Sequence, residues 1–199
     1  MKTDFNSAIE ARRSVYSLGK KVTVSPEKIE EVIGNAVKHV PSAFNSQSAR
    51  VVVLFGANHQ KSWDLTKDAL RKIVPAENFG ATEEKIDSFA SAYGTVLFFE
   101  DNSVIESLQN NYPSYNDNFP IWSLQSAGML QYVVWTALAV EGLGASLQHY
   151  NNLIESQVKA EWKLPASWQL LAQMPFGEII NEPGEKEFLP LTERLMVFK

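Results

Sequence analysis

The chain has 199 residues, 45% of them hydrophobic, with 18 basic against 23 acidic side chains and a formal charge of −5. That composition supports a buried core, argues against global disorder, and lacks the basic footprint with which nucleic-acid binders neutralise phosphates. The absence of cysteine excludes disulfides, thiolate metal sites and cysteine nucleophiles.

Met1-Lys2-Thr3-Asp4-Phe5 carries no apolar signal-peptide core, and the expected location is cytoplasmic. Phe5, Ala8 and Ile9 suggest a short helix that runs into Arg12-Arg13-Ser14. Ser25 is a good N-cap and Pro26 suits the first helical position. Ile29, Val32, Ile33, Ala36, Val37 and Val40 then follow helical spacing until Pro41 stops the helix. Ser42 to Ser48 reads as a polar loop, and Arg50 to Phe55 as a buried strand.

Trp63 to Val74 and Glu83 to Tyr93 read as helices, the second closed by Gly94 as a C-cap. Thr95 to Glu100 is a second buried strand, Val104 to Gln109 a short helix, and Asn110 to Pro120 a loop. Ile121 to Glu141 is a long helix with few polar positions. Its apolar core, interrupted by Gln131 and Thr136, falls short of the roughly 18 to 20 residues a membrane span needs. Gly142 and Gly144 end it. Ala145 to Tyr150 is a short strand, Leu153 to Trp162 a helix, and Trp168 to Ile179 a strand carrying Pro175. From Asn181 the chain reads as an extended arm. Strands and helices do not alternate as βαβ units, which favours α+β and a single domain spanning residues 1–199.

Three stretches can carry chemistry. Arg12-Arg13-Ser14 offers two guanidinium forks and a hydroxyl, a set suited to phosphate; its plain alternative is a solvated basic helix end. Pro41 to Gln47 is either an ordinary connection or a loop that reads the edge of a planar heterocycle. Gly142 and Gly144 follow a helix and lack a third glycine, so they are no dinucleotide fingerprint. His39, His59 and His149 show no metal-ligand spacing; His39 and His59 are expected at the surface ends of helices. Neither G-x-S-x-G nor a P-loop is present. Tyr112, Tyr115, Phe119 and Trp122 form either an apolar lid over a planar ligand or core and dimer contacts.

The order of these stretches along the chain resembles the nitroreductase family. More closely, it is similar to the short bacterial and fungal branch named for a fatty-acid-repression phenotype. The resemblance rests on Arg12-Arg13-Ser14, Pro41-Ser42-Ala43-Phe44-Asn45-Ser46-Gln47-Ser48-Ala49-Arg50, Tyr93 to Glu100, Gly144-Ala145-Ser146-Leu147-Gln148-His149-Tyr150 and Ala172-Gln173-Met174-Pro175-Phe176-Gly177. It implies a nitroreductase-like α+β fold: a mostly antiparallel central sheet wrapped by helices, in an intertwined homodimer with FMN at the interface.

Carried over position by position, the resemblance implies flavin contacts at Arg12, Arg13 and Ser14. Tyr16 stands where many members have a basic residue near the flavin pyrimidine. Ser42, Ala43, Asn45 and Gln47 would reach the flavin held mainly by the partner. Gln148 and His149 would pass its N5 edge, where a backbone N–H makes the contact. Lys186 matches a phosphate-binding position, and Phe188 departs from an arginine common in the family. The implied activity is reduction of nitroaromatics or quinones by NADH or NADPH, a ping-pong exchange through the flavin with no acid–base side chain assigned. Expected partners are a second copy and a small-molecule electron acceptor, with no nucleic acid, membrane or metal. The alternatives are a flavin-binding regulatory or stress-response protein with incidental reductase activity, and a specialised flavoenzyme of the same fold.

Overall fold

The computed structural model describes residues 4–199; Met1 to Thr3, part of the segment read above for a signal-peptide core, lie outside the described residues. The chain begins with α1 (Phe5–Ala11), capped by the Asp4 carboxylate on the N–H groups of Asn6 and Ser7. A two-residue strand β1 (Leu18–Gly19) follows, which the sequence did not signal. In α2 (Pro26–His39) the Ser25 hydroxyl accepts from the Lys28 N–H, and Ile29, Ile33 and Ala36 form the buried stripe. Strand β2 (Ala49–Phe55) leads into α3 (Gly56–Arg71). Gly56 takes a positive φ of 54°. That lets the chain turn from strand to helix at once, so the helix starts seven residues ahead of the Trp63 expected from apolar spacing.

Helix α4 (Phe79–Ala90) ends before Gly94, which opens β3 (Gly94–Asp101) rather than capping a helix. A Cβ at Gly94 would lie 2.6 Å from the Phe176 ring and 2.9 Å from the Leu54 carbonyl. The glycine is there for close strand approach. Asp101 caps α5 (Asn102–Asn111). The loop expected from Asn110 to Pro120 shrinks to the tightly turned stretch between Asn111 and Phe119, and α6 (Phe119–Val140) starts with Pro120 in its first turn. Strand β4 (Gly144–Ala145) is shorter than expected, with an isolated Gln148–Gln173 pair beyond it. Helix α7 (Asn151–Glu161) and β5 (Trp168–Ile179) complete the set.

The strands form one antiparallel sheet in the order β1-β5-β3-β2, with β4 also paired to β5. Every residue of β3 is buried, because helices cover both faces. Val96 and Phe98 point one way, with Ala172, Met174 and Phe176, into a core made with α2 and α6. Leu97 and Phe99 point the other way, with Leu170, toward Ile154 and Val158 of α7 and Ala69 of α3. This is the expected α+β architecture, a helix-wrapped antiparallel sheet. Among the described residues no helix is long and apolar enough to cross a membrane.

Candidate functional site

After α1 the backbone turns extended at Arg12. Ser14 then pairs in parallel with Ala145, and the Val15 N–H donates to the Ala145 carbonyl at 2.9 Å. Arg12 lies with its guanidinium 4.5 Å from the ring centre of Trp135 and 6.0 Å from that of Tyr132. Its Nε is buried and has no hydrogen-bond partner among the described residues. The stack orients the planar cation without satisfying that donor. Arg13 donates to the Gly184 carbonyl at 2.7 Å, and Asn181 donates to the Ser17 hydroxyl at 2.8 Å. Both bonds lay the start of the C-terminal arm along the N-terminal motif. Lys186, two residues beyond Gly184, has its ammonium 5.1 Å from the ring centre of Phe188. The exposed Phe188 ring thus lies beside the cation. Arg12, Arg13, Ser14 and the arm at Gly184 therefore belong to one corner of the molecule, while Tyr16 beside them is exposed. The role of Trp135 was hidden in the apolar pattern of α6.

The Ser42 to Ser48 loop is ordered by its own side chains. The Ser42 hydroxyl accepts from the Gln47 N–H at 2.9 Å, and the Ser42 carbonyl from the Asn45 N–H at 3.0 Å. Phe44, Asn45 and Gln47 all adopt left-handed backbone angles, with φ of 57°, 51° and 48°. Side chains disfavour that region by about 1–2 kcal/mol per residue, so the rest of the loop must hold them there. Arg50 does part of this: it donates to the Gln47 carbonyl at 2.7 Å and pairs with Asp101 at 3.0 Å. Phe44 does the rest, with its ring centre 5.0 Å from Tyr112, 5.2 Å from Phe119 and 6.1 Å from Trp122. The aromatic residues before α6 are thus assembled around a loop residue. Phe44, Trp122 and Met129, together with Ala43, Gln125 and Ser126, line a cavity of about 350 Å³.

Gln148 and His149 differ in what they offer. Gln148 is buried; its N–H donates to Gln173 at 2.7 Å and its amide to the Ser146 hydroxyl at 3.0 Å. His149 is exposed. An antiparallel pair turns alternate N–H groups to opposite sides, so the outward-facing group of the two is that of His149.

The sheet register separates the cationic corner from the Ser42 to Gln47 loop. Ala145, beside Ser14, pairs with Phe176 at the level of Gly94, whereas Ala49, following the loop, pairs with Glu100. Six residue steps along β3 separate these levels, from Gly94 to Glu100, roughly 20 Å at strand rise. Within one chain the cationic corner and the Ser42 to Gln47 loop sit toward opposite ends of the sheet.

The expectation for His59 was wrong. His39 is exposed, but His59 is buried between α3, α4 and β3, with Nδ1 2.8 Å from the Thr95 hydroxyl and Nε2 3.1 Å from the Ala90 carbonyl. The early start of α3 put it inside. Among the described residues no group of three His, Asp or Glu side chains is placed to hold a metal.

The model of the nitroreductase family matches residues 9–178. The nitroreductase FRM2 of Saccharomyces cerevisiae is 34% identical over 188 residues, covering 94% of this chain and 93% of the yeast protein. The solved structure of nitroreductase CinD from Lactococcus lactis in complex with chloramphenicol is 43% identical, covers 98% of this chain and 100% of that one, and superposes with a TM-score of 0.91. CinD has also been solved with 4-nitrophenol, at 44% identity over the same shares with a TM-score of 0.91. A structure from Desulfovibrio desulfuricans solved with FMN shares the fold at 21% identity and a TM-score of 0.71, covering 100% of this chain and 99% of that one.

Proposed function

Since the chain belongs to the nitroreductase family, in its short fatty-acid-repression-type branch, we propose that it is an FMN-dependent oxidoreductase that carries electrons from NADH or NADPH to nitroaromatics or quinones. The observation that carries this reading is the buried Nε of Arg12, a charged donor with no acceptor among the described residues, set in a corner with Arg13 and Ser14 where the arm that bears Lys186 begins. A phosphate is the ligand such forked donors fit. When bound, FMN supplies the redox chemistry, with N5 as its hydride-accepting atom.

The residues would act by placement. Arg12, Arg13, Ser14 and Lys186 would hold the phosphate, Lys186 doing so without an arginine at Phe188. Tyr16 brings no cation to the pyrimidine end. Arg12 or Arg13 would supply the positive charge that favours the reduced, anionic form. The outward N–H of His149, next to buried Gln148, would face the N5 edge. Ser42, Ala43, Asn45 and Gln47 would come from a second copy, because their own cationic corner is at the other end of the sheet.

A homodimer also explains what one copy leaves open. Helix α6 is apolar all round, and Ile121, Leu124, Met129 and Val133 are exposed on it. The tail exposes Phe188, Leu189, Leu191 and Leu195 to Phe198. At the free edge of β2, a cavity of about 520 Å³ is lined by Ile33, Val37, Val51 and Val53 among others. A second copy's tail would cover both the apolar wall and the unpaired strand edge. The acceptor would enter against Phe44, Trp122 and Met129, an apolar wall for planar electron-poor rings. CinD binds chloramphenicol and 4-nitrophenol, both nitroaromatic. Donor and acceptor would take turns at one opening, which is ping-pong kinetics.

The test is the visible spectrum of the purified protein without oxygen. Flavin bands that NADH or NADPH bleaches, and that a nitroaromatic or quinone restores, are expected. A colourless protein that cannot be reconstituted with FMN overturns the reading.

A further inference from the structure

Gln173 is a polar side chain in an apolar place. It lies in β5 opposite Leu97, on the sheet face that packs against α7, and is 2% exposed. A buried amide costs its desolvation unless its polar atoms are paired, and here both are. The Tyr150 N–H donates to Oε1 at 2.7 Å, and Nε2 donates to the Asn151 side-chain oxygen at 2.6 Å. The Asn151 amide donates in turn to the Leu171 carbonyl at 2.5 Å. Because a backbone N–H can only donate, Tyr150 fixes the direction of every bond in this chain.

The sheet register explains why a side chain is needed here. Gln148 and Gln173 exchange both backbone bonds, at 2.7 and 2.9 Å. An uninterrupted antiparallel ladder would next pair Tyr150 with Leu171. Leu171 is instead the extra residue where the β5 register shifts, since Ala172 pairs with Phe98 and Leu170 with Phe99. Such bulges end a ladder or re-aim it. The Gln173 amide oxygen takes the Tyr150 N–H in place of the Leu171 carbonyl, and Asn151 takes that carbonyl. One residue thus grips Gln148 by its backbone and Tyr150 by its side chain. His149 lies between the two grips, and its N–H has no acceptor among the described residues.

We propose that Gln173 is a positioning residue for flavin reduction: it fixes the chain on both sides of His149 so that the His149 N–H is held toward the flavin N5 edge. This rests on the flavin reading above and extends it to a buried residue outside the candidate flavin set. A donor already in place needs no reorganisation when the reaction occurs, whereas a displacement of about 1 Å can cost a hundredfold in rate. Asn151 acts one step further out, by holding the Gln173 amide against the strand.

The experiment compares Gln173→Met, which keeps the volume and loses both bonds, and Asn151→Ala with the parent, all loaded with FMN. In the parent, FMN is expected to slow hydrogen exchange at the His149 amide, and this protection is expected to shrink roughly tenfold in Gln173→Met. Flavin bleaching at saturating NADH or NADPH is expected to slow by roughly the same factor. FMN affinity, set mainly by the phosphate corner, is expected to change less than about threefold. Asn151→Ala is expected to shift both readouts the same way by a smaller factor, and it decides the matter should Gln173→Met fail to fold. The proposal is overturned if FMN leaves His149 exchange unchanged in the parent. It is also overturned if the folded variants melt lower yet keep parental protection and parental bleaching, for then the amide chain serves the fold alone. A parent that takes up no FMN overturns the flavin reading itself; a yellow parent whose variants match it overturns only the role of Gln173.

Discussion

The Nδ1 of His59 lies 2.8 Å from the Thr95 hydroxyl, with both residues sealed in the core. The direction of the proton follows from the neighbours. Trp63 Nε1 can only donate, and it does so to the same hydroxyl at 2.9 Å. Thr95 therefore gives its proton to Nδ1, and His59 carries its own on Nε2, facing the Ala90 carbonyl at 3.1 Å. Every group is satisfied with a neutral imidazole, and protonation would set Nδ1–H against Thr95's proton. Burial, only partly opposed by the Ala90 bond, lowers the His59 pKa below its ordinary 6.5.

A histidine with a depressed folded-state value binds its proton more readily when unfolded. The stability it contributes is fully present above about 6.5 and is lost as pH falls below that, toward the folded value. Thermal unfolding between pH 7 and pH 5 is expected to show this loss, and His59→Gln, which keeps a donor and an acceptor but does not titrate, is expected to reduce the slope. An unchanged slope in the variant would assign the acid sensitivity elsewhere.

Arg12→Met removes the forked donor while keeping an unbranched chain against Trp135. Hydrogen bonds to charged groups are worth about 1.5–3 kcal/mol, so FMN affinity is expected to fall roughly tenfold or more. Riboflavin, which has no phosphate, is the control: its affinity is expected to change much less. Equal losses for both would mean that Arg12 acts on the ring system or on the fold.

Ser42→Ala strips the acceptor from the Gln47 N–H and loosens a loop with three left-handed residues. The expected cost is about 1 kcal/mol of stability, seen as roughly 2–4 °C in the unfolding midpoint. Flavin affinity is expected to drop as well, since Asn45 and Gln47 lose their fixed backbone. A variant with parental melting and parental flavin binding would show that Phe44 and Arg50 hold the loop by themselves.

Apolar spacing and caps made most elements legible in the sequence. Ser25-Pro26 marked α2, and the β-branched runs marked β2 and β3. What misled was glycine. Gly94 serves close packing against Phe176, and Gly56 serves an abrupt strand-to-helix turn, yet both look like generic breakers in a string of letters. The site residues were nameable only through the resemblance, because a pair of arginines or a Ser-Ala-Phe-Asn loop is common in isolation.

The distance between the cationic corner and the Ser42 to Gln47 loop has a genetic consequence. In the proposed two-fold dimer each crevice would draw one half from each subunit. Pair a copy damaged at Arg12 with one damaged at Asn45, and one crevice inherits both lesions while the other inherits neither. Two inert variants, unfolded and refolded together in equal amounts, should recover about a quarter of the intact sites. Recovery on mixing is a trait that a site contained in one chain cannot have.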